Sequence, residues 1–100
     1  MRKTKRKPLT VGQMLQIEFM KPYGLTNQQL ADAMGVHRNT VSNIVNGGIL
    51  TAPNAIKLAC ALGNTPEFWL NIQHAVDLWE TRNSYESESK SVHPLELFPA

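Results

Sequence analysis

The residues of this chain best equipped for chemistry are Arg38, Asn39, Thr40 and Asn43, clustered in the run LTNQQLADAMGVHRNTVSNIVN from Leu25 to Asn46. None is a nucleophile paired with a base; what they offer is hydrogen bonding. An arginine can donate two parallel hydrogen bonds to guanine O6 and N7, an asparagine amide can pair with adenine N6 and N7, and a threonine methyl can contact the thymine methyl. Asn39 and Asn43 are four apart, so a helix puts both amides on one side. Val41 and Ile44 supply the inner side, and the stretch from Arg38 to Val45 contains no acidic residue and no lysine. Ordinary surface helices favour Glu and Lys. An acid-free side rich in amides and hydroxyls suits the major groove of DNA, where a carboxylate would repel phosphate.

Around this reading side, Asn27, Gln28, Ser42 and Asn46 are expected to contact phosphate from helix starts and loop edges. His37 occupies an N-cap position where Ser or Thr is commoner, and its ring can cap the helix or face the DNA backbone. Such side chains need two short helices held at a fixed angle. The spacing predicts helices over about 27–34 and 38–45, joined by Gly35-Val36-His37, with Thr26 as cap, Gly35 as terminator and small Ala31 letting the helices approach.

The remaining elements follow from caps and breakers. Thr10 opens a first helix with Gln13 as capping-box partner, Val11, Leu15 and Phe19 form its buried stripe, and Lys21-Pro22-Tyr23-Gly24 ends it. Asn46-Gly47-Gly48 stops the third helix. Thr51 caps a fourth, with Pro53 in its first turn and Gly63 at its end. Thr65-Pro66 starts a fifth that continues to about Trp79 or Arg82. Five helices with short connections, no strand and no repeat predict an all-α fold. The organisation expected is a basic flexible arm over 1–8, one domain over 9–82, and a polar, disordered or loosely docked tail over 83–100.

Charge is unevenly placed. Residues 1–50 carry seven basic and two acidic side chains, whereas residues 51–100 carry three basic and six acidic. The front half therefore faces a polyanion, and Lys5 and Arg6 of the arm are expected on the DNA backbone. On the fifth helix, Phe68, Trp69, Ile72, Ala75, Val76 and Trp79 make a core stripe. Leu70, His74 and Leu78 form a separate row, expected to meet a dimer mate or another protein. One module whose only basic reading residue is Arg38 binds DNA weakly, and dimerisation onto a two-fold, palindromic site is the natural remedy.

Other chemistries find little support. Cys60, with Ile56, Ala59 and Gly63, reads as a small core residue, and a lone cysteine excludes an internal disulfide and fits a reducing cytosol. No apolar run approaches the ~20 residues of a membrane span, and the basic start leads into Pro8 rather than an apolar signal-peptide core. His74 has no second ligand at metal spacing, and His93 stands apart in the tail, so no metal or cofactor is expected. Without paired carboxylates, an activated nucleophile or a ligand cluster, the chain does not read as an enzyme.

Over residues 9–82 the chain resembles the HigA branch of the lambda-repressor/Cro-like (XRE) helix-turn-helix proteins. The run LTNQQLADAMGVHRNTVSNIVNGG carries the superfamily likeness. The run LTAPNAIKLACALGNTPEFWLNIQHAVDL carries the HigA-like one, through Ala55, Leu58, Ala59, Gly63, Pro66, Phe68-Trp69-Leu70 and Gln73. The resemblance implies a five-helix lambda-repressor-like fold and a cytoplasmic antitoxin that neutralises a RelE-like, mRNA-cleaving HigB-type toxin. It further implies a homodimer, held through C-terminal helices, that binds double-stranded operator DNA and represses its own operon. A stand-alone XRE regulator without a toxin is the alternative.

Overall fold

The first helix begins at the capping box its sequence announces. The Thr10 hydroxyl accepts the Gln13 N–H at 3.1 Å while the Thr10 N–H donates to Gln13 Oε1 at 2.9 Å. The computed structural model describes residues 6–97, and in it α1 spans residues 11–23 in three consecutive stretches. Val11–Met14 is α-helical, Leu15–Met20 is wound as a π-helix, and Lys21–Tyr23 is α-helical again. Pro22 accounts for the widening: it has no N–H to donate and its ring crowds the carbonyl four residues back, which a wider turn relieves. The extra residue rotates the stripe. Val11 and Leu15 are buried as expected, but the series continues at buried Met20, leaving Phe19 half-buried.

Four further helices follow: α2 is Asn27–Met34, α3 Arg38–Val45, α4 Ala52–Leu62 and α5 Pro66–Ser89. Thr26, Thr51 and Thr65 each accept a first-turn N–H through the side-chain hydroxyl, so the expected starts of α2, α4 and α5 hold. Among the described residues there is no strand. The all-α expectation is met. α1 lies against α3 and α5, α2 against α3 and α4, and α4 against α5.

Trp69 is the centre of the core, fully buried, with its indole N–H donating to Asn64 Oδ1 at 2.8 Å. Phe19 packs tilted on it at 5.3 Å between ring centroids and Phe68 edge-on at 5.0 Å. Leu15, Leu30, Val41, Leu50 and Leu58 are as deeply buried around it. Burying a tryptophan removes about 200 Å² from water, about 5 kcal/mol of transfer free energy.

Three expectations are corrected. Cys60 is exposed, not core. α4 is apolar in two overlapping registers, and the one that buries Ala55, Leu58 and Ala59, with Leu62 half-covered, wins over Ile56, Cys60 and Gly63 because two leucines bury more area. On α5, Trp69, Ile72 and Val76 face inward as expected, but Phe68 and Ala75 are exposed. Finally, α5 does not stop near Arg82: it runs to Ser89, with non-helical angles at Tyr85 (φ −115°, ψ 16°), so the first part of the expected tail is helical. All described side chains from Glu80 onward are exposed. No helix among the described residues is long and apolar enough to cross a membrane.

Candidate nucleic-acid interface

The angle between α2 and α3 is set by the turn at Gly35. Its φ is +72°, the left-handed region where a side chain would be strained. The Val36 N–H donates to the Ala31 carbonyl at 3.0 Å and the Gly35 N–H to the Asp32 carbonyl at 3.2 Å, the two hydrogen bonds of a Schellman cap. Ala31 is completely buried, as its small size required. His37 then caps α3, its Nδ1 accepting the Asn39 N–H at 3.0 Å. An acceptor nitrogen carries no proton, so the ring's hydrogen is on Nε2, available outside the cap.

These turns gather five of the sequence-predicted residues. Asn27, Gln28, Arg38, Asn39 and Ser42, together with Thr26, line one open recess of about 370 Å³ between the start of α2 and the first two turns of α3. Arg38 is its only charged member. Thr26, expected as the helix cap but not as part of the site, completes the lining: its hydroxyl takes the Gln29 N–H, leaving the first-turn N–H groups of Asn27 and Gln28 without an intrahelical acceptor, as at any helix start. The positive end of the α2 dipole thus opens beside the Arg38 guanidinium.

The recess is partly prearranged. Gln28 Nε2 donates to Asp32 Oδ1 at 2.8 Å, which orients the carboxamide and leaves its nitrogen a second N–H for a further acceptor. Asn46 Nδ2 donates to Ser42 Oγ at 3.3 Å, tying two of the expected phosphate contacts together. Asn43 is exposed one turn beyond Asn39, on the side of α3 away from buried Val41 and Ile44. Thr40 is half-buried, about 160° around the helix from Arg38 and so on the other flank from the recess.

The remaining expected contacts lie elsewhere. Arg6 is exposed, and Lys5 lies outside the described residues. On α5, His74 and Leu78 are exposed but Leu70 is half-buried against the core, so the expected row is split. Sequence reasoning also gave no task to Gln73, whose carboxamide takes both backbone groups of Leu50, or to Gly12, buried where α1 meets α3. An isolated glycine inside a helical pattern was the available signal for the second.

Comparison with known proteins agrees with this geometry. A helix-turn-helix family model matches residues 17–70. The chain is 73% identical over 95 residues to the antitoxin HigA-1 of Vibrio cholerae serotype O1, a match covering 95% of this chain and 90% of that protein. The solved structure of the antitoxin GraA in complex with its operator has a TM-score of 0.84 at 38% identity, covering 95% of this chain and 98% of GraA. Pseudomonas aeruginosa antitoxin HigA, solved with the higBA promoter, has a TM-score of 0.80 at 27% identity, covering 88% of this chain and 98% of that one.

Proposed function

The chain belongs to the HigA antitoxin family of helix-turn-helix proteins, and on that footing we propose that it is a DNA-binding antitoxin. It reads operator DNA through α3, represses its own toxin-antitoxin operon, and neutralises a RelE-like toxin of the HigB type. The observation that carries the DNA half is the recess bounded by Asn27, Gln28, Arg38, Asn39 and Ser42, open, free of acids among its lining residues and set at the start of a helix.

In this reading a phosphate sits at the N-terminus of α2, held by backbone N–H groups and the side chains of Asn27 and Gln28. Ser42, Asn46 and His37 Nε2–H contact the same backbone, with Lys5 and Arg6 adding charge. With the module registered in this way, Arg38, Asn39, Thr40 and Asn43 meet base edges in the major groove. GraA and Pseudomonas aeruginosa HigA, both solved on DNA, support this assignment at family level.

The protein acts as a homodimer on a palindromic site, since two weak modules a helical turn apart bind as one strong unit. Exposed Leu78, with His74 beside it on α5, is the proposed partner surface. Both targets, the operator and a toxin that cuts translated mRNA, lie in the cytoplasm, where we set its action. The test is a gel shift on the promoter upstream of its gene, against random duplex, combined with co-purification of the neighbouring gene product. Selective retardation and a stable stoichiometric complex are expected. Equal binding to both DNAs removes the operator-binding role, and a neighbour that is never captured leaves a regulator without a toxin.

A further inference from the structure

We propose that Gln73 is a positioning residue for base readout, holding the end of α3 in register from a helix that does not touch the recess. The proposal rests on the DNA-binding reading above. Gln73 lies one turn beyond fully buried Trp69, so its backbone is anchored in the core. Its carboxamide faces the segment that follows α3. Gln73 Oε1 accepts the Leu50 N–H at 2.6 Å, and Nε2 donates to the Leu50 carbonyl at 2.9 Å.

One planar amide thus takes both polar groups of a single peptide residue, which fixes that residue in orientation as well as position. Leu50 is 1% exposed, so without Gln73 its N–H and C=O would be left without partners at a buried site, a costly state. Two residues earlier, the Gly48 N–H donates to the Asn43 carbonyl at 2.7 Å. The path from Gln73 to Asn43, one of the proposed base-reading residues, is therefore two sets of hydrogen bonds and one intervening residue. That intervening residue, Ile49, is 83% exposed and contributes little packing of its own. Besides the Gly47 N–H on the Ile44 carbonyl at 3.2 Å and the close approach of Gly48 to the Asn43 backbone, the segment is held by the Leu50 side chain and these hydrogen bonds.

Base-edge hydrogen bonds depend on distance and angle far more steeply than charge attraction to phosphate does. A loosened α3 terminus is expected to cost discrimination before it costs binding. No other residue type does the same work: Asn is one methylene too short, and Glu keeps the acceptor but loses the donor.

The experiment is a fluorescence anisotropy titration of the intact protein on its promoter and on a random duplex of equal length, with urea midpoints measured in parallel. Gln73→Met keeps length and bulk but removes both hydrogen bonds. Its operator-to-random affinity ratio should fall about tenfold while affinity for random DNA stays within about twofold. Gln73→Glu, which sets a carboxylate against the Leu50 carbonyl, should give the same drop and serves if the methionine variant does not fold. A lower urea midpoint with an unchanged ratio in a folded variant makes Gln73 merely structural and overturns the proposal. If the unmodified protein itself does not prefer its promoter, the DNA-binding reading fails first, and the proposal with it.

Discussion

The α-carbon of Gly12 lies directly against the backbone at the end of α3: a methyl group on it would stand 2.9 Å from the Val45 carbonyl carbon and 2.8 Å from the Ile44 oxygen. Both are backbone atoms and cannot swing aside as a side chain would. This packing joins the start of α1 to the C-terminal turn of the helix whose outer side carries Asn39 and Asn43. The recognition helix is thereby held at its far end by the backbone of α1, as its near end is held by the Gly35 turn.

Gly12→Ala tests this. In an open helix the change would stabilise by about 0.5–1 kcal/mol, whereas overpacking costs about 1–3 kcal/mol. The expected net result is a loss of about 1–2 kcal/mol, read as a lower urea midpoint at unchanged slope. A variant more stable than the parent would mean the two helices have room to spare.

Arg38→Ala should cost about 1–3 kcal/mol on the operator and relax preference at one base pair, as expected for a bidentate guanine contact. Affinities measured across a set of single-base operator variants distinguish the roles. A uniform loss over all of them would assign Arg38 to phosphate.

His37→Ala removes the ring that accepts the Asn39 N–H and should lower stability by about 0.5–2 kcal/mol, the usual worth of a helix cap. His37→Ser should restore stability, because a serine oxygen caps at least as well. If the serine variant recovers stability but not operator affinity, the imidazole Nε2–H contributes on DNA as proposed. Full recovery of both would confine His37 to the cap.

Much of this architecture is local, and local signals are legible. Thr10-x-x-Gln13 closes its capping box as expected, Thr26 caps its helix, with Gln29 adding a second box that the reading had not named, and Gly35 and Gly63 end their helices. What escaped is non-local or a contest between equals. Gln73 and Leu50 are 23 residues apart, and nothing near either foretells the other. The two apolar registers of α4 differ by one residue, and only the packed core decides that Cys60 faces out. The π stretch in α1 arises from Pro22 acting back through the turn before it, so the stripe shifts to Met20. In the candidate site, the residue types and their spacing were visible in the chain, but the part played by Thr26 in shaping the recess depended on the cap geometry.

Leu78→Glu probes the partner surface. Leu78 is 41% exposed on α5, so a carboxylate there need not disturb the monomer core. The expected outcome is an unchanged urea midpoint at low concentration together with a weakened dimer or an abolished toxin complex, seen by sedimentation velocity and co-purification. A variant that dimerises and captures toxin like the parent moves the partner surface elsewhere.

The basic arm is tested by its salt dependence. Lys7 Nζ pairs with Glu80 Oε1 at 3.1 Å, both side chains about half exposed, an ion pair worth at most about 1 kcal/mol but enough to draw the root of the arm toward α5. Deleting residues 2–6 spares that pair while removing Arg2, Lys3, Lys5 and Arg6. If the arm lies on phosphate, the slope of log affinity against log salt should flatten by about 0.9 for each phosphate no longer neutralised. Affinity should also fall by a similar factor on promoter and random DNA, since phosphate carries no sequence. An unchanged slope would leave phosphate attraction to the remaining basic residues of the front half and make the arm a bystander.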